Sequence, residues 1–442
     1  MAGAEARTST AGGSGPAPAV VVGLDCITGL QTARLLADRG VPVLGVLADA
    51  GHWAGRTNSC VEIVAAPLSG PGLVDALHGL ARRWGARLVL IPCTDEAVHY
   101  LSLHRSDLPD GMLLPLAEHR VVDLLMDKVS FAQHAVEAGL PVPRTLELVD
   151  RRDAEAAAEV LAYPCVIKPP AKVPTWLAHT SAKAISVDDR HELLRVYDQV
   201  SSWAPVLLAQ EWVDGPETEL YSCNAYFDEH GLPLVTFVAR KLRQWPPEVG
   251  TSASGQECRN DEVLDTTVRL FGGVGFQGLA YLEMKRDRRT GRMLVIEPNV
   301  GRPTGRSAIA EAGGVELVLT AYRHALGEPL PAARTQAYAD ARWLDLRRDA
   351  QAAFVAHRRG TLSWAEWLRW LRGPKAHAIW SRRDPAPFAA DLVQATWSGA
   401  RMLVARRRQT DSTDAEPGDL RAGTTTRIKR AHASWAAREE GA

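Results

Sequence analysis

The sequence predicts an α/β protein with two or three domains, and three observations lead to this class. The chain has 442 residues, which is enough for more than one hydrophobic core. Near its beginning, short apolar runs alternate with helical patterns, as in βαβ units. Further along, apolar runs are separated only by short turns, which is typical of antiparallel strands. We expect an open α/β domain followed by a larger mixed domain.

The amino-acid composition argues against several classes of protein. The chain is 46% apolar and 23% charged, like ordinary globular proteins, and its net charge of −1 gives no general attraction for nucleic acid. The six cysteines lack metal-ligand spacing and are interpreted as free thiols. No apolar stretch is long enough to cross a bilayer, and the first residues do not resemble a signal peptide. We expect a cytoplasmic protein with no nucleic-acid partner and no transmembrane segment.

Changes in composition divide the chain into five predicted segments. Residues 1–17 and 409–442 are polar and rich in small residues, which predicts disordered tails. Between them lie the N-terminal α/β domain (18–120), a second domain (121–330), and a helical C-terminal appendage (331–408). The Trp- and Arg-rich appendage either docks on its own domain, the favoured interpretation, or presents a face to a partner or a membrane surface.

Two places in the first domain could carry chemistry. Gly23 and Gly29 follow the first strand but do not form GxGxxG, so close packing of a helix on the sheet is favoured over a dinucleotide site. Thr94, Asp95 and Glu96 end a later strand, and open α/β sheets bind ligands at the carboxyl ends of their strands. We take these three residues as candidate substrate contacts.

Basic residues mark two strands of the second domain. Lys168 ends an apolar strand at 163–170, where it could meet a phosphate, although a lone lysine there is usually surface decoration. The following residues, 171–183, have no clear period and are predicted to form a mobile loop. Lys241 and Arg243 alternate out of a later strand, which predicts that they share one face.

The strongest signal is a predicted hairpin around Thr290-Gly291. If Thr290 is its centre, Glu283 and Glu297 are cross-strand neighbours with Cβ atoms about 5 Å apart. Asn299 follows Glu297 by two residues and points to the same face. Two carboxylates and an amide oxygen form a site for a hard cation such as Mg²⁺, which also uses substrate phosphates as ligands.

A solvent-facing strand pair with chance acids is the alternative to a cation site. The loop after the hairpin, GRPTGR, favours the cation site. It carries Arg302 and Arg306, which could hold a phosphate or a carboxylate.

Taken in order, these motifs resemble the ATP-grasp superfamily of ATP-dependent carboxylate–amine ligases. The likeness spans Val20–Leu330, is closest to D-aspartate-ligase-like members that join amino acids, and includes IEPNVGR, which resembles the family's E-x-N-x-x-R ending. It implies an ATP-grasp domain at 121–330, with a lid subdomain at about 128–205 and an N-terminal pre-ATP-grasp domain. It also implies ATP and Mg²⁺ as cofactors, with Mn²⁺ as a substitute.

The resemblance implies roles for individual residues. Those matched to the phosphates, the adenine and the ribose of ATP are Lys128, Lys168, Glu211, Trp212, Val213, Glu217 and, in an alternative register, Glu219. Those matched to Mg²⁺ are Glu283, Glu297 and Asn299. Basic residues matched to the transferred phosphate and the carboxylate substrate are Lys241, Arg243 and Arg302. The chain departs from the family at 171–183, which lacks the glycines of a phosphate-covering lid; Lys183 or His179 could substitute there.

The implied reaction joins a carboxylate to an amine through an acyl phosphate, with release of ADP and phosphate. Two alternatives stay open: a catalytically silent ATP-binding module of the same fold, and an oxidoreductase built on the first βαβ unit. Small-molecule substrates are the expected partners. The sequence does not identify the acid or the amine, and it leaves the oligomeric state open, with a homodimer as one alternative.

Overall fold

The computed structural model describes residues 15–170, 173–247, 250–373 and 375–396. These residues form a parallel sheet, a small antiparallel sheet and a large, mainly antiparallel sheet, in that order along the chain. Residues 1–14 of the predicted N-terminal tail and all of the predicted tail at 409–442 lie outside the described residues.

The N-terminal domain is an open α/β unit, as predicted. Its elements are β1 (Ala19–Val22), α1 (Ile27–Ala37), β2 (Val43–Leu47), β3 (Glu62–Ala65), α2 (Pro71–Trp84), β4 (Val89–Pro92) and α3 (Asp95–Leu103). The parallel strands lie in the order β3-β2-β1-β4, and β1, β2 and β4 are buried along their length. A Cβ on Gly29 would overlap the Gly23 carbonyl oxygen, which supports the packing interpretation of these glycines.

The next region forms a small antiparallel sheet with its own core. Its elements are α4 (His119–Met126), α5 (Lys128–Glu137), β5 (Thr145–Leu148), α6 (Arg151–Val160), β6 (Cys165–Lys168), α7 (Pro174–His179), β7 (Ile185–Val187), α8 (Arg190–Val200) and β8 (Leu207–Glu211). The strand order is β5-β8-β6-β7. We use the word lid for the described residues of 145–211, a narrower range than the subdomain predicted at about 128–205, and its role in covering a ligand stays a prediction.

The prediction of an irregular loop at 171–183 is wrong for the part that forms α7. Pro174 stands at the start of this helix, where its fixed φ is favourable. Trp176 is buried in the lid core and donates from Nε1 to the Ala182 carbonyl oxygen at 2.7 Å. The Trp176 side chain therefore serves packing within the lid.

The large sheet carries the predicted hairpin. The elements here are β9 (Leu220–Phe227), β10 (Pro233–Trp245), β11 (Thr251–Glu257), α9 (Asp261–Gly273), β12 (Gly278–Arg286), β13 (Met293–Val300), α10 (Ala308–Ala312), α11 (Leu317–Leu326), β14 (Arg342–Leu344), α12 (Leu346–Arg358), α13 (Trp364–Trp370) and β15 (Ala376–His377). The strand order is β13-β12-β9-β10-β11-β14-β15. One core cluster of this sheet includes α9 and the other includes α10 and α11, and residues of the N-terminal domain belong to both clusters.

The predicted helical appendage also adds strands to this sheet. Strand β14 pairs with β11, and β15 pairs with β14. Further along, Asp384 forms an ion pair of 2.9 Å with Arg34 of α1. These contacts favour docking of the appendage on its own chain. No helix in the described part of the chain combines the length and apolar character needed to cross a membrane.

Candidate active site

The hairpin brings two carboxylates together at the edge of the large sheet. Glu283 of β12 lies directly opposite Glu297 of β13, which confirms the predicted pairing. Nearer the turn the register is offset by one residue, since Met284 pairs with Val295 and leaves Ile296 as a bulge. The bulge is what turns Glu297 toward Glu283, because without it Ile296 would hold that position.

The two carboxylates differ in how their charges are compensated. The Glu283 carboxylate lies 3.7 Å from Lys241 Nζ and 3.5 Å from Arg306 Nη2, and it accepts a hydrogen bond of 3.1 Å from the Tyr281 hydroxyl. Glu297 is exposed to solvent by its accessible surface, although enough protein surrounds its carboxylate to desolvate it. That surrounding protein, followed by the Glu283 carboxylate, raises the pKa of Glu297. A cation between the two acids would relieve this repulsion.

Arg302 ties the hairpin to the N-terminal domain. Its Nη2 donates to Asn299 Oδ1 at 2.8 Å, and its Nε donates to Asp95 Oδ1 at 2.6 Å. Asp95 begins α3 at the carboxyl end of β4, so the predicted substrate-contact region does meet the hairpin. Asn299 Oδ1 keeps a second lone pair for another partner.

Two lysines belong to the same electrostatic cluster as Glu297. Lys168 ends β6 of the lid and donates to Gln210 Oε1 at 2.7 Å. Burial and then the positive charge of Lys128 lower the pKa of Lys168 to about 8, while Glu297 opposes that change. Lys128 in turn opposes the rise in the pKa of Glu297. The lid and the hairpin therefore face each other across a cleft that holds both signs of charge.

Lys241 and Arg243 do not share a face, so that prediction is wrong. A register shift between them in the pairing of β10 with β11 breaks the alternation of side chains. Lys241 points to the cleft, where it donates to Gln244 Oε1 at 3.0 Å, and burial lowers its pKa. Arg243 instead binds Asp349 of α12 through two hydrogen bonds of 2.6 and 3.1 Å.

The structure does not bring Arg243 to the acidic hairpin. Asp349 is fully buried and also accepts a hydrogen bond of 2.8 Å from Trp367 Nε1. The Arg243 guanidinium lies 4.6 Å from the ring centre of Trp370. We call Arg243, Asp349, Trp367 and Trp370 the C-terminal clamp, because they fasten α12 and α13 to β10.

Comparison with known proteins identifies the architecture. The biotin carboxylase domain of Hydrogenobacter thermophilus 2-oxoglutarate carboxylase, solved with MgADP, ADP and bicarbonate, superposes with a TM-score of 0.56 at 16% identity over 72% of this chain and 71% of that one. L-amino acid ligase from Bacillus licheniformis superposes with a TM-score of 0.52 at 17% identity over 72% and 76%. The chain has the ATP-grasp fold. The predicted fold class is confirmed.

Curated relatives agree with the ATP-grasp assignment. D-aspartate ligase from Enterococcus faecium is 23% identical over 263 residues, which are 56% of this chain and 62% of the relative. D-alanine–D-alanine ligase from Stutzerimonas stutzeri is 33% identical over 96 residues, which are 21% of this chain and 28% of the relative. The chain thus spans less than two thirds of either relative's length. No family model matches it.

The residues matched to adenine in the ATP-grasp family lie where the lid meets the large sheet. Glu211 ends β8, and its Oε1 accepts a hydrogen bond of 3.0 Å from the Ala162 N–H. The Trp212 N–H donates to the Pro164 carbonyl oxygen at 3.0 Å, so this amide is already used within the protein. Val213 is buried beside them.

Glu217 and Glu219, the two candidates for the acidic residue matched to the ribose of ATP, have different surroundings. Glu217 accepts a hydrogen bond of 2.9 Å from the Gln244 N–H, and its charge acts on both Lys241 and Lys285 of the cleft. Glu219 accepts from the Tyr221 hydroxyl at 3.2 Å and lies 3.7 Å from Arg286. The electrostatic contacts favour Glu217 as the residue of the ATP-grasp cleft.

The two candidates for covering the phosphates both lie in the lid. His179 ends α7, where Nδ1 is 2.8 Å from the Thr175 carbonyl oxygen and the ring stacks on Trp203 with centroids 4.7 Å apart. Lys183 is exposed, between α7 and β7. The ring contacts tie His179 to the lid, which leaves Lys183 as the better placed of the two to reach a ligand.

Two residues near the acids, Tyr281 and Lys285, were given no role from the sequence, and a third, Arg306, was expected only to hold a phosphate or a carboxylate. Tyr281 and Lys285 stand two residues on either side of Glu283 and share its face, so strict alternation was an available signal. Burial lowers the pKa of Lys285, which lies 5.5 Å from the ring centre of Trp212. Arg306 is almost fully buried beside Tyr281 and Glu283, and because it comes from a loop, no periodicity could place it there.

The donor set at the hairpin fits Mg²⁺. Carboxylate and amide oxygens are the ligands that hard cations take, and Glu283, Glu297 and Asn299 offer them on one face of the hairpin. The repulsion that raises the pKa of Glu297 is what a bound cation would remove. The cationic groups nearby suit the remaining negative charge of a triphosphate.

Proposed function

We propose that this protein is an ATP-dependent ligase that joins the carboxylate of an amino acid or peptide to an amine through an acyl phosphate. The observation that supports the proposal most strongly is the pairing of Glu283 with Glu297, together with the electrostatic interaction of Lys128 and Lys168 with Glu297. The activities for which the relatives are named, those of D-aspartate ligase, D-alanine–D-alanine ligase and L-amino acid ligase, support the same class of reaction.

The reaction proceeds by two displacements. A carboxylate oxygen attacks the γ-phosphorus of ATP, the bond to the β-phosphate oxygen breaks, and ADP leaves. The amine nitrogen then attacks the acyl carbon, phosphate leaves with the bonding electrons, and the nitrogen loses a proton. The activation is needed because an oxide ion is a very poor leaving group, whereas phosphate leaves readily.

The protein contributes mainly position and charge. Lys168 neutralises the phosphates from the lid, and Lys128 does so from the start of α5. Lys241 and Arg302 neutralise charge beside the hairpin, where the transferred phosphoryl group and the carboxylate meet. Glu283, Glu297 and Asn299 would hold Mg²⁺, or Mn²⁺ in its place, and the bound ion would supply further neutralisation of the phosphates.

The lid protects the intermediate. An acyl phosphate hydrolyses in water, so the cleft has to exclude solvent during the reaction. The lid sheet with α7 supplies the covering surface, and Lys183 supplies a cation that compensates for the missing glycine-rich backbone. The adenine lies at Glu211 and Val213, and the ribose lies at Glu217.

Phosphate release tests the proposal. The purified chain is incubated with ATP, Mg²⁺ and pooled amino acids, and products are identified by mass spectrometry. Release that depends on both an acid and an amine, with a condensed product, is the expected result. ATP binding without turnover would instead support a catalytically silent module, and NAD binding without ATP binding would support an oxidoreductase.

We also propose a cytoplasmic location and a homodimeric assembly. The described cysteines are free thiols, and three of them, Cys93, Cys165 and Cys223, are buried, which suits a reducing compartment. The biotin carboxylase domain of the Hydrogenobacter thermophilus enzyme was solved as a dimer, which supports testing this chain for the same state. Mass measurement by light scattering distinguishes a monomer from a dimer.

A further inference from the structure

A second group of metal-ligating side chains lies outside the cleft, between α3 and α4. His99 comes from α3, while His119 and Asp123 are four residues apart on α4 and so share one face. One ligand atom from each residue lies within 4.8 Å of the others. His99 Nε2 is 3.6 Å from Asp123 Oδ1. Ligands on tetrahedral zinc are about 3.4 Å apart, given bonds of about 2.0–2.1 Å, so only small rotations would close the group around an ion.

A serine fixes the tautomer of His119. The Ser102 hydroxyl donates to the His99 carbonyl oxygen at 2.8 Å, and it lies 2.9 Å from His119 Nδ1. Since its hydrogen is already used, Ser102 must accept from Nδ1–H. The Nε2 atom of His119 is then the unprotonated nitrogen with a free lone pair. Metal-binding histidines are typically oriented through their other ring nitrogen in this way.

The ligand types select the metal. Two imidazole nitrogens and one carboxylate oxygen suit Zn²⁺ and its neighbours in the first transition row, whereas Mg²⁺ prefers oxygen ligands alone. The side chains of His99 and Asp123 are 47% and 58% exposed, so water has access to a fourth position. We propose that His99, His119 and Asp123 form a site for a divalent transition-metal ion of the zinc class, separate from the Mg²⁺ site of the hairpin.

The site joins two helices that both lead to the cleft. Helix α3 begins at Asp95, which binds Arg302, and α4 runs directly into α5, which begins at Lys128. Helix α4 also packs against β13, the strand of Glu297 and Asn299. A metal held between α3 and α4 would therefore fix the spacing of these cleft residues. The proposal stands on side-chain geometry and is independent of the ligase activity.

Metal titration tests the site. The full chain, without a polyhistidine tag, is stripped with a chelator and titrated with Zn²⁺ against a chromophoric chelator in a large excess of Mg²⁺. One equivalent should bind, and Co²⁺ in its place should give the visible spectrum of a tetrahedral site. His119→Ala and His99→Ala should each weaken binding by at least about 100-fold, and Ser102→Ala by about 10-fold because it loses only the orienting contact.

Matched controls separate this site from other histidines and from the hairpin. His104→Ala removes the histidine of the next turn, whose Nδ1 lies 2.9 Å from Asp107, and should bind Zn²⁺ like wild type. Glu297→Gln should also retain Zn²⁺ binding. Thermal melting of the metal-free variants checks their folding, and if His119→Ala is unfolded, His99→Ala and Ser102→Ala carry the test. Equal affinity in wild type and His99→Ala, or the absence of a stoichiometric site, would overturn the proposal.

Discussion

Two clusters of charged side chains flank strand β10, and they differ in how completely their hydrogen-bonding groups are paired. In the C-terminal clamp, Arg243 and Asp349 form two hydrogen bonds of 2.6 and 3.1 Å, and Trp367 adds a third bond to the same carboxylate. In the cleft, Lys241 and Arg306 stay 3.7 and 3.5 Å from Glu283. Among the described residues, Arg306 Nη1 is a buried nitrogen without a hydrogen-bond partner.

This difference distinguishes charged side chains that stabilise the fold, in the clamp, from charged side chains in the cleft that need a ligand to complete their interactions. Buried polar groups in native proteins are nearly always paired, so an under-satisfied cluster needs an explanation. In the clamp the ion pair of Arg243 with Asp349 is complete within the protein and holds the C-terminal helices on the sheet, although Trp370 Nε1 is, among the described residues, also a buried nitrogen without a hydrogen-bond partner. The cleft combines repelling acids, long ion pairs and an unpaired guanidinium nitrogen, which a cation and an anionic substrate would complete.

The largest expected effect is a loss of stability when a substitution breaks the C-terminal clamp. Arg243→Ala leaves the Asp349 carboxylate buried without its cation, so the free energy of unfolding should fall by about 3–5 kcal/mol. Turnover per folded molecule should stay near wild type, because the structure places Arg243 outside the cleft. Chemical denaturation and an assay at matched folded concentration measure the two quantities.

A double replacement controls the interpretation of that loss. Arg243→Met with Asp349→Leu removes both charges and should recover most of the stability, since neither partner is left unpaired. A large loss of turnover in folded Arg243→Ala protein would show that Arg243 acts in catalysis and would contradict the comparison.

The second effect acts on the cleft. Glu297→Gln keeps the shape of the side chain but removes a charge from the cation site, so turnover should drop by about 100- to 1000-fold, or about 3–4 kcal/mol at the barrier. The melting temperature should not fall, because the repulsion with Glu283 disappears. Glu262→Gln on α9, which pairs with Arg286 at 3.4 Å, is a matched surface control and should behave like wild type.

The third effect concerns the lid lysine. Lys168→Ala should weaken ATP binding by about 10- to 100-fold, because hydrogen bonds to charged groups contribute about 1.5–3 kcal/mol. Isothermal titration with a non-hydrolysable ATP analogue measures the change. An unaltered affinity would show that Lys168 serves the lid alone, through its bond to Gln210.

The smallest effect is a pH dependence of the same residue. The free protein holds the pKa of Lys168 at about 8, so the lysine is charged below that pH and becomes neutral as pH rises through it. ATP affinity should therefore decline above about pH 8, and Lys168→Arg should flatten the profile because arginine stays charged. A wild-type profile that is flat across this range would argue against a direct contact between Lys168 and phosphate.

The sequence predicted the fold class and the core of the hairpin because both depend on local patterns. Alternating side chains and an assumed turn centre at Thr290 paired Glu283 with Glu297, and this pairing is correct only because a bulge shifts the register by one residue. The bulge at Ile296, which brings the two acids opposite each other, could not be predicted from these patterns. The same kind of irregularity separated Lys241 from Arg243, because alternation assumes a regular ladder.

Features that depend on distant partners were not predictable. Helix α7 is short and is held by burial of Trp176 among residues from other parts of the lid. Strands β14 and β15 have three and two residues, and they depend on distant partners, since β14 pairs with β11 and β15 pairs with β14. The position of Arg306 depends on the path of a loop, which residue spacing does not specify.

A crystal structure with Mn²⁺ and a non-hydrolysable ATP analogue tests the central claim most directly, because Mn²⁺ can be located by its anomalous signal. We expect the ion between Glu283 and Glu297, bonded to carboxylate oxygens and Asn299 Oδ1 and to the phosphates, with Lys168 on the triphosphate. An analogue bound with no ion at the hairpin, or with the two carboxylates turned apart, would contradict the account.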